Sequence, residues 1–323
     1  MVTIHVQRNG QDTERAEVFD PAWLAPEAGV TVWVDLSAPS PDEGRMLVDV
    51  FGFHDLAVED ALEEIHFPKV DDYGAYLHVI LHGIDARAQA SAGFSTHDID
   101  FFLASRYLVT VHDGRSRSIE HVQQLCLRSA RLLGEGPVAL MHRIVDAMVD
   151  NYTPEVEALE DRLEHLEEEV FATADQQIVR DVLSLKRDIG RLRRVITPQR
   201  DVVSRLARRE YDLVTEGLAY RFRDVYDHLV RIAEEAAIMH DRVTTVLDAH
   251  LSFVSNRMNE VMKVLTIFAT VFGPLTVLTG LYGMNVPLPA LPGGEHAQFW
   301  FIIAVMLGST GGMLWYFRRR GWL

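Results

Sequence analysis

The stretch that decides the fold is Leu218–Asn285, LAYRFRDVYDHLVRIAEEAAIMHDRVTTVLDAHLSFVSNRMNEVMKVLTIFATVFGPLTVLTGLYGMN. From Leu218 to Phe272 it contains neither glycine nor proline, which predicts one helix of roughly 80 Å at 1.5 Å per residue. Its first half is charged and amphipathic, whereas no charged residue follows Lys263 as far as Asn285. The pattern indicates a helix that begins in water and ends in lipid.

Two uncharged runs predict transmembrane helices. We assign the first to residues 263–283, because Val264–Gly283 carries no ionisable side chain except Tyr282 and rises about 30 Å, the thickness of one hydrocarbon core. The second is Phe299–Phe317, which has aromatic side chains at both ends, as is typical of the membrane interface. The alternative is a pair of buried core helices, which the length of the runs disfavours.

The charges around the two runs predict their orientation. Lys263 precedes the first run and Arg318–Arg320 follows the second, whereas the connecting loop, residues 284–298, contains neither lysine nor arginine. By the positive-inside rule the N-terminus and the basic tail, residues 318–323, face the cytoplasm and the loop faces outward. Met1–Gly10 has no apolar centre, so we expect no cleavable signal peptide. The chain is expected in the plasma or inner membrane.

The composition narrows the function. The formal net charge is −16 and the C-terminal tail is basic, so the soluble part is acidic; this disfavours nucleic acid and favours cations as partners. Cys126 is the only cysteine, which excludes an internal disulfide and a cysteine metal cluster. No nucleotide-binding motif and no nucleophile–base pair is found, so no enzyme is predicted. His78 and His82 lie too far apart on one strand to chelate a metal.

Residues 1–150 predict an α+β cytoplasmic domain, a small mixed sheet with helices on its faces. Short runs of β-branched and aromatic residues predict the strands, and Ser40 before Pro41 predicts a helix start. We assign strands to Thr31–Asp35, Ala75–Ile84 and Asp98–Val111, and helices to a segment after Ser40, to Asp55–Ile65 and to Gly114–Leu133.

Residues 151–217 predict a helical hairpin. The first helix is acidic and the second is basic, which predicts antiparallel packing with complementary charges. Both helices have an apolar heptad stripe, at Val156, Leu159, Leu163, Leu166 and Val170 in the first and at Ile178, Val182, Leu185, Ile189, Leu192 and Ile196 in the second.

Residues 218–262 predict the cytoplasmic part of the long helix, with two distinct faces. Apolar residues at alternating spacings of four and three predict a packing seam, at Val225, Leu229, Ile232, Ala236, Met239, Val243 and Val246. A second face is mostly charged or polar: Asp224, Asp227, Arg231, Glu234, Ile238, Asp241, Thr245 and Asp248. At the same period it continues through the apolar run as Leu251, Ser255, Asn259, Met262, Thr266, Ala269, Gly273, Thr276 and Gly280. This stripe either lines a pore in a ring of helices or lets helices pack closely, and Asn259 favours the pore.

Tyr282-Gly283-Met284-Asn285 closes the first apolar run, follows the stretch Ser255–Thr266, and precedes a chain end at Arg318–Leu323. With Trp33–Leu36, Ala57–Ala61 and Pro68–Val70, these features closely resemble the CorA magnesium-transporter family over nearly the whole chain. The resemblance implies a homopentamer with a cytoplasmic funnel. It also implies that the five first membrane helices line one pore and the second ones form an outer ring.

The resemblance also implies roles for particular residues. Gly283, Met284 and Asn285 would form the selectivity filter, where neutral amides suit an ion that keeps its hydration shell. Leu251, Met262 and Leu265 are candidates for a hydrophobic constriction. Gly273 departs from the family pattern, in which a bulky methionine is expected. The pore-lining candidates are Asp248, Leu251, Ser255, Asn259, Met262, Leu265, Thr266, Ala269, Gly273, Thr276 and Gly280.

The same resemblance makes Asp224 a regulatory carboxylate at a Mg²⁺ site between neighbouring subunits, with Asp85 as the expected partner. Mg²⁺ would then be both transported and regulatory, with no organic cofactor. The expected function is uptake of Mg²⁺, with Co²⁺ or Ni²⁺, driven by the membrane potential and gated by intracellular Mg²⁺. The alternatives are a ZntB-like zinc transporter coupled to protons and a non-conducting membrane metal sensor or scaffold.

Overall fold

A computed structural model describes residues 1–8, 11–25, 27–62, 67–84, 95–114, 116–170, 176–284 and 294–322. The chain divides into two compact units, Met1–Leu247 and Asp248–Leu323. The first unit combines a β-sheet with helices, and the second contains both apolar helical segments.

Within the described residues of the first unit, seven strands form one mixed sheet. They are β1 (Val2–Arg8), β2 (Glu14–Ala16), β3 (Val30–Ser37), β4 (Lys69–Asp72), β5 (Leu77–Ile84), β6 (Thr96–Leu103) and β7 (Tyr107–His112). Their order is β2-β1-β3-β7-β6-β5-β4, and β3 runs parallel to β7 whereas the other neighbours are antiparallel. The predicted strand over Asp98–Val111 is wrong as a single element, because it contains most of both β6 and β7.

The helices of the described residues confirm the α+β class and the long C-terminal helices. They are α1 (Pro41–Asp49), α2 (Asp55–Leu62), α3 (Arg117–Arg128), α4 (Ala130–Gly134), α5 (Pro137–Asp150), α6 (Thr153–Glu169), α7 (Gln176–Ala207), α8 (Glu216–Tyr282) and α9 (Gly294–Arg319), with a 3₁₀ turn at Pro21–Leu24. The predicted start after Ser40 is confirmed by a capping box. The Glu43 N–H donates to Ser40 Oγ over 3.3 Å, and the Ser40 N–H donates to Glu43 Oε2 over 2.8 Å.

The sheet is covered on both faces. One face packs against α1 and α2, where Phe53 stacks on Phe102 with ring centroids 4.2 Å apart. The other face packs against α5, and this core continues through α6, α7 and the first part of α8. Ile144 and Met148 of α5 are completely buried, and each such side chain contributes about 1.5–3 kcal/mol. The core therefore joins the sheet to the helical part of the same unit.

A buried carboxylate connects the central strands to α3. Asp35 of β3 accepts hydrogen bonds from Thr110 Oγ1 at 2.5 Å and from Gln123 Nε2 at 2.8 Å. His112 Nε2 lies 3.2 Å from Asp35, and the Gly114 N–H donates to His112 Nδ1 over 3.0 Å, so the ring proton resides on Nε2 and points at the carboxylate. A buried carboxylate is stable only with such partners. The Trp33–Leu36 motif thus has a structural role.

The predicted seams of the helical segments are confirmed. The apolar positions predicted for α6, α7 and the cytoplasmic part of α8 are all buried in one continuous core. α6 and α7 contact each other along their length, as expected for a hairpin. The heptad spacing alone was sufficient to identify which side of each helix faces the core.

The predicted charge pairing within the hairpin is not what the described ion pairs show. The pair that joins the two helices runs in the reverse sense, from Arg162 of acidic α6 to Asp188 of basic α7, at 3.0 Å. Two acids of α6, Glu160 and Glu167, instead contact Arg242 of α8 at 3.3 and 2.8 Å. Arg242 lowers the pKa of Glu167 by hydrogen bonding to it. The acids of α6 are therefore paired with α8, whereas the apolar seam and the Arg162–Asp188 pair join α6 to α7.

Candidate functional site

The two apolar segments form helices long enough to cross a membrane. The predicted span 263–283 lies almost wholly in α8, which ends at Tyr282, and Phe299–Phe317 lies inside α9. The most apolar windows of α8 and α9 are not buried inside the chain, so their side chains face an apolar surrounding outside the chain. α9 begins at Gly294, five residues before the predicted span. Residues 285–293 of the predicted loop lie outside the described residues.

The long helix presents two faces in the first unit. Its seam is buried, whereas the face that carries Asp224, Asp227, Glu234 and Asp241 is exposed along its length. Ile238 is 59% exposed on this same face, where a monomer would place it against water.

Asp224 of α8 lies close enough to Asp146 of α5 for its charge to act on that carboxyl group. Burial raises the pKa of Asp146, and the charges of Asp150 and Asp224 raise it further, while His142 opposes the shift. Sequence reasoning missed Asp146 and Asp150, although their four-residue spacing in an otherwise apolar helix was a usable signal. Among the described residues no group of three or more His, Cys, Asp and Glu side chains is placed to hold a metal. Asp85, the expected partner of Asp224, lies outside the described residues, so the regulatory site stays a prediction.

The weighed histidines belong to the core. His78 Nε2 lies 2.7 Å from Asp100 Oδ1. The backbone N–H of His82 donates to Gln199 Oε1 over 2.8 Å, and the Tyr152 hydroxyl donates to the His82 carbonyl over 2.8 Å. Both side chains are buried, which supports their interpretation as packed core residues.

In the second unit the predicted pore-lining face of α8 presents acceptor oxygens. The hydroxyl of Thr266 donates to the Met262 carbonyl over 2.7 Å, and that of Thr276 donates to the Phe272 carbonyl over 2.8 Å. A hydroxyl that donates its proton to its own helix presents only lone pairs outward. Such oxygens can accept hydrogen bonds from the water shell of a cation. Leu251, Ser255, Asn259, Met262 and Leu265 are exposed, and Asp248 is exposed as well.

A backbone carbonyl in the middle of the membrane segment has no helical hydrogen-bond donor. α8 continues through Pro274, which has no N–H and so leaves the Thr270 carbonyl without its usual helical donor. Gly273 adds no side chain beside it, and a Cβ built there meets nothing within 4 Å. The departure at Gly273 therefore creates space next to a backbone carbonyl, one turn from Ala269 and Thr276 on the same face.

The end of α8 leaves no room for a side chain at Gly283. The Gly283 N–H donates to the Thr279 carbonyl over 2.9 Å, and a Cβ at Gly283 would lie 2.9 Å from that same oxygen. Met284, the next residue, is 55% exposed. Asn285 lies outside the described residues, so the filter as a whole stays a prediction. The structure describes the end of α8, at which the predicted filter begins.

We expect Gly283→Ala to destabilise the folded protein by about 1–3 kcal/mol, because the added methyl group cannot avoid a backbone oxygen. Gly273→Ala is the matched control, since its methyl group meets nothing in the chain and alanine is the better helix former. The measurement is the thermal unfolding midpoint of each purified variant in detergent. Equal midpoints for the two variants would show that the close approach at Gly283 does not constrain the chain.

A water-exposed α+β unit followed by two membrane-spanning helices, with polar oxygens along the first span, defines an integral membrane protein built to handle ions. A family model described as CorA-like Mg²⁺ transporter protein matches residues 28–319. The cobalt/magnesium transport protein CorA of Thermotoga maritima is 30% identical over 92% of this chain and 85% of the relative. The zinc transport protein ZntB of Pectobacterium atrosepticum is 27% identical over 90% of this chain and 88% of the relative.

The fold is also that of a solved structure. The complete structure of the CorA magnesium transporter from Methanocaldococcus jannaschii matches with a TM-score of 0.84 at 22% identity, over 100% of this chain and 99% of that one. Because the family model covers most of the chain, this protein belongs to the CorA-like Mg²⁺ transporter family. It is a divalent cation transporter of the membrane, with a soluble N-terminal domain and cytoplasmic termini. The family consists of transporters, not enzymes.

Proposed function

We propose that this chain forms a homo-oligomeric channel that carries Mg²⁺ into the cell. The observation that carries the proposal is the acceptor-only face of α8, where Thr266 and Thr276 bond back to their own helix and Pro274 frees a carbonyl. One helix cannot enclose water, so several copies must surround the path, and the likeness to CorA favours five. The magnesium cargo comes from the relatives named for it.

An acceptor-only lining suits Mg²⁺ in particular. Mg²⁺ loses its water reluctantly and usually keeps several water ligands. The bound waters point their hydrogens outward, and a lining of hydroxyl lone pairs and backbone carbonyls accepts them without requiring dehydration. Five copies of Asn285 at the outer mouth would act in the same way at the point of entry. Asp248, with a formal charge near the other end, would concentrate cations there.

The membrane potential is sufficient to drive uptake. A divalent cation gains about 4.6 kcal/mol for each 100 mV of inside-negative potential, and the sequence contains no nucleotide-binding motif. Passive entry needs control, and the proposed control has two parts. The apolar side chains of Leu251, Met262 and Leu265 would close the path by excluding water. Carboxylates on the cytoplasmic part of α8, Asp224 first among them, would sense intracellular Mg²⁺.

Zinc transport is the second candidate, because a zinc transport protein is among the relatives that cover most of the chain. A zinc carrier coupled to protons would respond to a pH gradient, whereas the proposed channel would respond to the Mg²⁺ gradient and the membrane potential and not to the pH gradient. The two functions therefore predict different driving forces in the same preparation, and a non-conducting sensor predicts no flux.

The deciding experiment is ion influx into liposomes that contain the purified protein. With Mg²⁺ outside, we expect Mg²⁺ to enter faster when the interior is made negative and to slow when the potential is removed, whatever the pH gradient. Empty liposomes and liposomes with protein in zero potential are the controls. Zn²⁺ entry that follows the proton gradient, with no Mg²⁺ entry, would replace the channel by the zinc transporter. No flux of either ion from folded protein would leave only the sensor.

A further inference from the structure

The basic helix of the hairpin borders a groove that its own chain does not fill. The groove has a volume of about 870 Å³ and lies between α7 and α8, where it is lined by Arg180, Lys186, Arg187, Arg191, Arg194 and His240. We call it the basic groove. Lys186 is tied to Thr244 of α8 by a hydrogen bond of 3.2 Å, which fixes one wall against the other.

Three of the arginines of the basic groove have no anionic partner in the part of the chain that the structure describes. Arg180, Arg187 and Arg194 are exposed, and none of them forms an ion pair with any residue that the structure describes. They recur every seven residues, so they lie in one row about 10.5 Å apart. Like charges in a row repel one another. Because no carboxylate among the described residues neutralises this row of arginines, we attribute it to contact with an anionic surface of another molecule.

Gly190 lies in the middle of this face of α7. Glycine inside a helix is about 1 kcal/mol less favourable than alanine, and packing within the chain does not require it, because a Cβ there would meet nothing within 4 Å. A missing side chain between two rows of long ones lets another helix approach the backbone. Gly190 therefore supports a helical occupant.

The matching anionic row is on α6 of the same chain. Glu157, Asp161, Glu164 and Glu168 are exposed, and among the described residues none of the four forms an ion pair within 4 Å. Their spacing of four, three and four places them in one row, and Asp161 and Glu168 are seven residues apart, as Arg187 and Arg194 are. The acidic row and the basic row therefore have the same period.

The two rows cannot meet within one copy. At 100° per residue, each row lies on the opposite side of its helix from the buried seam through which α6 and α7 pack. We propose that the acidic row of one copy docks in the basic groove of the next copy, so that the contact joins two different surfaces. Such a contact is heterologous and is the kind from which closed rings are built. The inference rests on the homo-oligomer of the proposed function.

Charge reversal tests the contact in the full-length protein in detergent. The first variant carries Arg187→Glu and Arg194→Glu, the second carries Asp161→Arg and Glu168→Arg, and the third carries all four changes. We expect each of the first two to raise the dissociated fraction at least tenfold, as measured by native mass spectrometry, and the third to restore the wild-type fraction. Failure of the third variant to recover, or no effect of the first two, would overturn the inference.

A charge-conserving variant keeps the test valid if the reversed chains fold poorly. Arg187→Lys with Arg194→Lys retains the basic groove and supplies amines that a carbodiimide joins to carboxylates in direct contact. With equal amounts of ¹⁵N-labelled and unlabelled copies, we expect mixed-isotope links between an α7 peptide and an α6 peptide. An oligomer with no such links, or with a small anion bound in the groove instead, would overturn the docking and leave the channel proposal intact. A monomer that carries no ion would remove the channel as well.

Discussion

Alanine in place of Asn285 is expected to abolish Mg²⁺ influx into liposomes. In the proposed channel each copy contributes one amide oxygen to the outer mouth, and the oxygens accept hydrogen bonds from the water shell of the ion. A hydrogen bond contributes about 0.5–1.5 kcal/mol, so loss of five amounts to about 2.5–7.5 kcal/mol, or a capture slower by roughly 60-fold or more. The measurement is the initial rate of Mg²⁺ entry at a fixed inside-negative potential.

The control for this prediction is Gln298→Ala, which removes an amide from the N-terminal part of α9 and leaves the proposed filter unchanged. We expect this variant to conduct at the wild-type rate. Wild-type influx through Asn285→Ala would show that the outer filter lies elsewhere, while the channel itself would stand on its response to potential. Equal loss in both variants would point to a general requirement for polar residues at the outer surface.

The long helices could be predicted because each has a single dominant period. Val225, Leu229 and Ile232 are spaced by four and three residues, which places them on one helix face, and that face is buried. The apolar run after Lys263 contains no charged residue as far as Asn285. Such local signals need no knowledge of the rest of the fold. The start of α1 also follows from a local signal, and at this predicted start Ser40 and Glu43 form the two hydrogen bonds of a capping box.

The sheet was predicted less well because its signals are weak or misleading. β6 and β7 were joined into one run because the turn between them, Ala104-Ser105-Arg106, contains no glycine or proline. β2 and β4 are only three and four residues long. α5 is mostly buried, and its polar face is narrow, with Arg143, Asp146 and Asp150, so it lacks the broad charged side of a surface helix even though Gly136-Pro137 marks its start.

The charges could not be assigned to partners from the sequence. A helical period tells which side of α6 is acidic, but it does not tell which helix faces that side. The structure places Arg242, 75 residues from Glu167, against it. The proximity of Asp224 to Asp146 is a similar case, since it joins α8 to a helix that the sequence analysis did not assign. Long-range neighbours of this kind follow from packing and not from local pattern.

Asp224 is the residue at which the regulatory hypothesis can be tested most directly. Its carboxylate is exposed, and its charge contributes to raising the pKa of Asp146, with that of Asp150. A carboxylate on this exposed face would be stabilised by a divalent cation that bridges it to another copy. Bound Mg²⁺ would therefore favour the arrangement of copies in which these groups are closest, which we propose is the closed one.

We expect Asp224→Lys to remove the dependence of influx on internal Mg²⁺, because a fixed positive charge takes the place of the ion and the bridge to another copy is lost. Couplings between sites typically correspond to 1–3 kcal/mol, so the Mg²⁺ concentration that halves wild-type influx should shift by at least about fivefold. The experiment measures Mg²⁺ entry into liposomes preloaded with a series of Mg²⁺ concentrations.

Asp212→Lys makes the same charge change at an exposed carboxylate before α8, and we expect it to respond like the wild type. An unchanged Mg²⁺ response in Asp224→Lys would exclude Asp224 as the sensor, because this variant lacks the carboxylate that is proposed to bind the ion.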